Sequence, residues 1–290
     1  MHRQKPEGVP AGELILIHGL EGSSESGYAR SMAAAALEAG FVVNRYNMRG
    51  CGNSPWHPRG NYHSGQTGDV LLIARERKQS TRLPLFLVGF SLGGNVTLKL
   101  AGELRREASE LFAGVCAVST PIDLSACVDQ TARRENHLYQ QRFVSRLKER
   151  VRKRHALAPE LFTLEHLPKI RTIRDFDDYY TAPLFGFGTA ANYYRTQSSN
   201  QFLDAIQIPA LIVQAKDDPM IPFAVYDHPA FRRNPNLELI AVEHGGHLGF
   251  ISRVKPRFWL DGLVMDWVRR IALQPAAPQE ISKNRVSART

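Results

Sequence analysis

The stretch Gly89-Phe90-Ser91-Leu92-Gly93 constrains this chain more than any other. The apolar run Leu85-Phe86-Leu87-Val88 before it reads as a short buried strand. Asn95 to Arg106 after it carries apolar residues at Val96, Leu98, Leu100, Ala101 and Leu104, the spacing of a helix packed on a sheet. Ser91 therefore sits where a strand turns sharply into a helix. Gly89, Gly93 and Gly94 fit such a turn because a side chain at those points would collide with a neighbouring element. A serine at the apex of a strand-to-helix turn, in the pattern G-x-S-x-G, is a candidate nucleophile. The turn lifts its oxygen above the sheet and aims the next N–H, that of Leu92, at the same point.

The surrounding pattern is strand and helix in alternation. Glu13 to Ile17 is a buried strand, Tyr28 to Ala39 an Ala-rich helix stopped by Gly40, and Phe41 to Asn47 the next strand. Asp69 to Lys78 reads as a helix with an acidic residue near its start, and Gly114 to Val118 as a strand. This alternation means a parallel sheet covered on both faces, an α/β fold. The rhythm breaks between about residues 124 and 201. There Phe143, Val144, Leu147 and Val151 mark an amphipathic helix over Arg142 to Arg154 with a basic outer face. Phe162, Leu164 and Leu167 suggest a further helix, and Phe176 to Tyr194 is rich in aromatics. The sheet resumes at Pro209 to Ala215 and at Leu237 to Val242, and Phe258 to Leu273 closes the chain as a helix. The expected organisation is a core over 13–123 and 202–273, a helical cap over 124–201, a loose leader over 1–12 and a disordered tail over 274–290. The cap aromatics serve either cap-to-core packing or the wall of an acyl-chain pocket.

Composition excludes several classes. No apolar run reaches the ~18 residues that cross a bilayer, and the N-terminus lacks the apolar core of a signal peptide. Three irregularly spaced cysteines (Cys51, Cys116 and Cys127) suit neither a disulfide framework nor a zinc site, and a reducing cytoplasm fits them best. His57 and His63 lie in a loop without acidic or thiol neighbours between them, so they read as loop residues rather than metal ligands. The net charge of +9 is concentrated: Arg142 to Arg154 holds seven Lys/Arg against one Glu. One basic helix without a recognised module is no nucleic-acid footprint. It does suit peripheral contact with an anionic membrane, or simply a solvated face.

Three sets of residues fall at strand ends: Ser91, the pair Asp217 and Asp218, and His247 with His244 nearby. A serine hydroxyl needs a base to take its proton, imidazole titrates near neutrality, and a carboxylate fixes the tautomer of the ring. Their order along the chain, Ser then Asp then His, is that of the α/β-hydrolases. Asp218-Pro219-Met220-Ile221-Pro222 resembles the D-x-x-[VI]-P acid loop of that fold, which favours Asp218 over Asp217, with Asp123 a remote third. His247 is flanked by Gly246 and Leu248 in a tight loop and is favoured over His244. The Gly-rich His18-Gly19-Leu20-Glu21-Gly22-Ser23, directly after a strand, suits a second oxyanion donor at the N–H of Leu20.

Taken as a set, several runs resemble the YheT-like subfamily of α/β-hydrolases. They include His18 to Ser23, Arg49-Gly50-Cys51-Gly52, Tyr62-His63-Ser64-Gly65 with Asp69, Gly89 to Asn95, Phe176-Asp177-Asp178, Ala215 to Pro219 and Gly245 to Phe250. The match runs in order from about residue 13 to 268. The resemblance implies a carboxylic ester hydrolase acting on small-molecule or lipid esters through Ser91, Asp218 and His247, with no metal or organic cofactor. A lipid-binding protein of the same fold with little catalysis is the alternative. The H-x-x-x-x-D motif that some relatives carry for acyl transfer is absent, which favours hydrolysis. Relatives also have strands ahead of the one at Leu14. Here the N-terminal hairpin strands are missing by that reading, which leaves an exposed edge or reflects a truncated start. Acyl-chain length and oligomeric state stay open.

Overall fold

A computed structural model describes residues 1–57, 60–255 and 257–273. One seven-stranded sheet runs through it: β1 (His2–Gln4), β2 (Gly12–Ile17), β3 (Phe41–Tyr46), β4 (Leu85–Phe90), β5 (Gly114–Val118), β6 (Ala210–Ala215) and β7 (Leu237–Val242). Their order across the sheet is β1-β3-β2-β4-β5-β6-β7, and every pairing is parallel except that of β1 with β3. β2 and β4 to β6 are buried along their whole length, which is why they read as continuous apolar runs rather than alternating ones. Helix α1 (Gly27–Glu38) and the closing helix Trp259–Ala272 cover one face, and α2 (Gly68–Ser80) and α3 (Leu92–Leu104) the other.

This order places the site. The chain leaves β2 toward β3 on one side, and from β4 onward it builds outward through β5, β6 and β7 on the other. The strand ends of β2 and β4 therefore flank the point where the winding reverses, the crevice in which open parallel sheets bind ligands. Ser91 follows β4 and the Gly19-Leu20 loop follows β2.

Several expectations change. The leader is not loose throughout: His2, Arg3 and Gln4 pair antiparallel with Arg45, Asn44 and Val43 and partly cover the edge of β3. The helix expected around Phe162 to Leu167 is a run of turns ending in the short 3₁₀ turn Leu167–Lys169. Three apolar residues at near-helical spacing, with Pro168 directly behind, are too few to sustain a helix. Phe162 is buried there while Leu164 is exposed. The expected tail at 274–290 lies outside the described residues.

The basic helix is longer than expected, His137–His155, and two of its seven expected outer cations turn inward. Gln140, Val144, Leu147, Arg150, Val151 and Arg154 form its buried stripe at spacings of three and four. Arg150 and Arg154 stay buried because they meet acceptors and aromatic faces: Arg154 donates to the carbonyls of His57 and Gly60, and its guanidinium lies 4.9 Å from the Trp56 ring centre. Arg142, Arg146, Lys148, Arg152 and Lys153 are left on the outer side.

Candidate active site

The turn at Ser91 is built by sterics. A Cβ on Gly89 would stand 2.2 Å from the Gly93 carbonyl oxygen, and one on Gly93 would stand 2.4 Å from that of Ile17. Glycine at both points lets α3 start immediately over the ends of β4 and β2. Ser91 itself has φ 52° and ψ −120°, a region that costs a side-chain-bearing residue roughly 1–3 kcal/mol. The Ser91 N–H, bound to the Val118 carbonyl at 2.8 Å, anchors that conformation to β5.

The predicted residues converge there. His247 Nε2 lies 3.0 Å from Ser91 Oγ, and its Nδ1 lies 2.8 Å from Asp218 Oδ2. Asp218 is buried, and its Oδ1 accepts the N–H groups of Met220 at 2.9 Å and Ile221 at 3.2 Å. Gln214 Nε2 donates to Oδ2 at 3.2 Å. With Asp218 as acceptor, the imidazole proton sits on Nδ1 and leaves the Nε2 lone pair facing the serine, the tautomer a general base requires.

The alternative residues have other places. Asp217 accepts the N–H groups of Gly245 at 2.9 Å and Gly246 at 2.8 Å and faces His244 Nδ1 at 3.2 Å. Slight burial opposes its charge, but Gly246, Gly245 and His244 outweigh this and hold its carboxyl below the ordinary value. It thus clamps the loop that carries His247. His244 is exposed on the outside of that loop, and Asp123 caps the helix Leu124–Thr131 through the Ala126 N–H.

The two expected oxyanion donors border the serine. Leu92 is the first residue of α3, where backbone N–H groups have no partner within the helix. The loop after β2 presses on the serine: a Cβ on Gly19 would lie 3.1 Å from Ser91 Cβ. Among the described residues neither the Leu20 nor the Leu92 N–H donates to a protein acceptor. His18 fixes this loop. Its Nε2 accepts the Met48 N–H at 3.1 Å, so its Nδ1–H donates to the Gly19 carbonyl at 2.8 Å. That carbonyl and the Leu20 N–H belong to one planar trans peptide and point in opposite directions. Turning the oxygen toward His18 therefore turns the Leu20 N–H away from it. Burial, outweighing the Gly19 hydrogen bond and joined by the Arg150 charge, lowers the His18 pKa to about 4, so the ring is neutral at pH 7. The Tyr28 hydroxyl accepts the Gly19 N–H at 2.9 Å.

Over the serine lies a cavity of about 120 Å³ with a mainly apolar wall that includes Val128, Phe143, Leu147, Ile173, Phe176 and Tyr193. The cap aromatics thus serve both expected purposes: Phe176, Tyr193 and Tyr194 are core residues and also border the cavity. Asp177 is the exception in that wall. Burial raises its pKa to about 6 despite hydrogen bonds from Thr181 and from the Tyr194 hydroxyl, the latter 2.6 Å away. His63 stacks edge-on against Phe185, Phe187 and Tyr193, and the described residues hold no cluster of three metal-ligating side chains. Nor is any helix among them long and apolar enough to cross a membrane.

Sequence reasoning gave no role to His18, Tyr62, Asn95, Arg150 or Gln214. The signal for Arg150 was its place on the apolar stripe, and for Gln214 a polar residue inside a buried strand. Asn95 is fully buried and donates to the carbonyls of Ser64 and Gln197 while accepting the Ser199 N–H.

Comparison with known proteins agrees with this architecture. The sequence profile described as alpha/beta hydrolase fold matches residues 13–254. The Escherichia coli (strain K12) protein YheT, assigned as an esterase, is 35% identical over 88% of this chain and 76% of its own length. A monoacylglycerol lipase of Saccharomyces cerevisiae is 30% identical over 85% of this chain, which spans only 56% of that protein. Among solved structures, a monoacylglycerol lipase of Paleococcus ferrophilus superposes with a TM-score of 0.59 over 93% of this chain and 98% of its own, at 17% identity, which speaks for the fold alone. On the profile and the YheT match, the chain belongs to the alpha/beta hydrolase fold family, in its YheT-like subfamily.

Proposed function

We propose that Ser91, His247 and Asp218 are the catalytic triad of this carboxylic ester hydrolase, and that Leu20 and Leu92 supply its oxyanion donors. The observation that carries the reading is the unbroken hydrogen-bonded chain from Ser91 Oγ through His247 to Asp218, at 3.0 and 2.8 Å. In acylation the Ser91 oxygen bonds to the ester carbonyl carbon, and its proton passes to His247 Nε2. The carbonyl electron pair moves onto oxygen, between the Leu20 and Leu92 N–H groups. Collapse expels the alcohol, which takes the proton from His247. Water, deprotonated by the same ring, then releases the acid. Each oxyanion donor is worth up to about 3 kcal/mol of barrier.

The substrate is a small-molecule or lipid ester. Its acyl part enters the apolar cavity, whose roughly 120 Å³ compares with the ~150 Å³ that takes up benzene, so acyl chains of about four to six carbons fit best. This makes a short-acyl ester a better substrate than the long-chain lipids suggested by the relatives' names. A pure lipid binder would have no use for a serine in a strained turn facing an aligned imidazole. The test is hydrolysis of p-nitrophenyl esters from two to sixteen carbons, with Ser91→Ala as the blank. Serine-dependent turnover peaking at four to six carbons is expected. Turnover that ignores Ser91 sinks the triad, and an optimum at twelve or more sinks the short-acyl assignment.

A further inference from the structure

Leu20 is held from both sides. His18 fixes the peptide before it, as described. The peptide after it, which carries the Glu21 N–H, is fixed by Tyr62, whose hydroxyl oxygen accepts that N–H at 3.0 Å. The same hydroxyl donates to Glu21 Oε1 at 3.1 Å. Glu21 has φ 55°, a left-handed conformation that a residue with a long side chain adopts only when something holds it. What holds it comes from outside the sheet. Arg150, on the helix His137–His155, donates from Nε to Glu21 Oε1 at 2.6 Å. Its Nη1 donates to the Gly50 carbonyl and its Nη2 meets Cys51 Sγ, each at 3.2 Å. Its guanidinium lies 5.0 Å from the ring centre of Tyr62. The Arg150 and Glu21 side chains are only 7% and 11% exposed, so the pair is neither screened nor free to drift.

We infer that Arg150 and Tyr62 are positioning residues for the oxyanion site: they clamp Glu21 in its left-handed conformation and so hold the Leu20 N–H toward Ser91. This rests on the reading of Leu20 as an oxyanion donor. Only one side of that donor is then set by the sheet and its loop. The other is set by a helix packed in a separate hydrophobic cluster with Phe162, Ile170 and Phe176. The oxyanion site is complete only while that helix is seated, which couples cap position to catalysis.

A loss of rate alone would not separate positioning from general damage, but a sulfur substitution does. A thionoester places sulfur, a poor hydrogen-bond acceptor, where the oxyanion oxygen forms, so it gains little from the Leu20 N–H. The experiment measures kcat/KM for matched butyryl oxoester and thionoester with the wild type, Arg150→Met and Tyr62→Phe. Cooperative thermal unfolding is recorded for each protein. The expected result is that both variants lose at least tenfold on the oxoester and far less on the thionoester. The oxo-to-thiono ratio then shrinks at least tenfold, within the 10²–10³ that one oxyanion donor contributes. Equal losses on both substrates, or no loss, overturn the inference. Should Arg150→Met fail to fold, Tyr62→Phe, which keeps the ring under the guanidinium and removes one oxygen, decides alone. A wild type that treats the two esters alike would instead refute the oxyanion assignment beneath the inference.

Discussion

Replacing Asp218 by asparagine tests the site most sharply, because the structure dictates how the amide must lie. Asp218 Oδ1 accepts two backbone N–H groups, those of Met220 and Ile221. In the variant the amide oxygen has to keep that place, since an NH₂ there would oppose two donors in a buried site. The NH₂ then faces His247 Nδ1, where the carboxylate oxygen stood at 2.8 Å. A donor there makes Nδ1 an acceptor and moves the imidazole proton to Nε2. Nε2 lies 3.0 Å from Ser91 Oγ and can no longer take its proton. Shape, volume and burial hardly change, so the defect is one of tautomer. The same substitution in the studied serine proteases costs roughly 10⁴ in rate, equivalent to about 5.4 kcal/mol of barrier. The assay is kcat and KM for p-nitrophenyl butyrate, beside Asp217→Asn as the neighbouring control. Asp218→Asn is expected to lose about 10⁴ in kcat with an unfolding midpoint near wild type. A loss under tenfold, or a larger loss at Asp217, would refute the argument.

Two further outcomes follow from buried polar groups. Asn95→Ala leaves the carbonyls of Ser64 and Gln197 and the N–H of Ser199 without their partner, and at about 1–3 kcal/mol per stranded group it should lower stability by at least ~3 kcal/mol in urea unfolding. An unchanged midpoint would mean water replaces all three contacts. Asp177, with its pKa raised to about 6 mainly by burial, binds its proton more tightly folded than unfolded. Its contribution to stability is therefore fully present below about pH 4 and is lost as pH rises through 6, by about 3 kcal/mol in all. Asp177→Asn should flatten that part of the stability–pH curve, and parallel curves for variant and wild type would remove Asp177 as its source.

Much of this was legible because it is local. The strands β2 and β4 to β6 announce themselves as apolar runs, being covered on both faces, and the glycines around Ser91 follow from the closeness of β2 and α3. The chemical types at 91, 218 and 247 could be picked from strand ends, where parallel sheets carry function. The short strand β1 was hidden because three polar residues on a sheet edge have no pattern. The turn region after Phe162 was misread because three apolar residues satisfy a helical period by accident as easily as by design.

The inward arginines show why the remainder was illegible. A helix such as His137–His155 is read by assuming that charge faces water, so Arg150 and Arg154 were assigned to the outer face although both fall on the apolar stripe. The assumption fails only where the opposite wall supplies acceptors, and that wall comes from loops about 100 residues away: Glu21, Gly50, His57 and Gly60. Burying a guanidinium is costly unless it is paired, and removing a partner from a buried pair typically costs about 3–5 kcal/mol. A helix that only roofed an apolar cavity would be more stable with leucine at position 150. The arginine therefore makes sense through its contact, Glu21, and Glu21 adjoins the residue whose N–H borders the reacting serine. An unfavourable residue on an otherwise apolar stripe is thus the sequence-level trace of the link between the cap and the site.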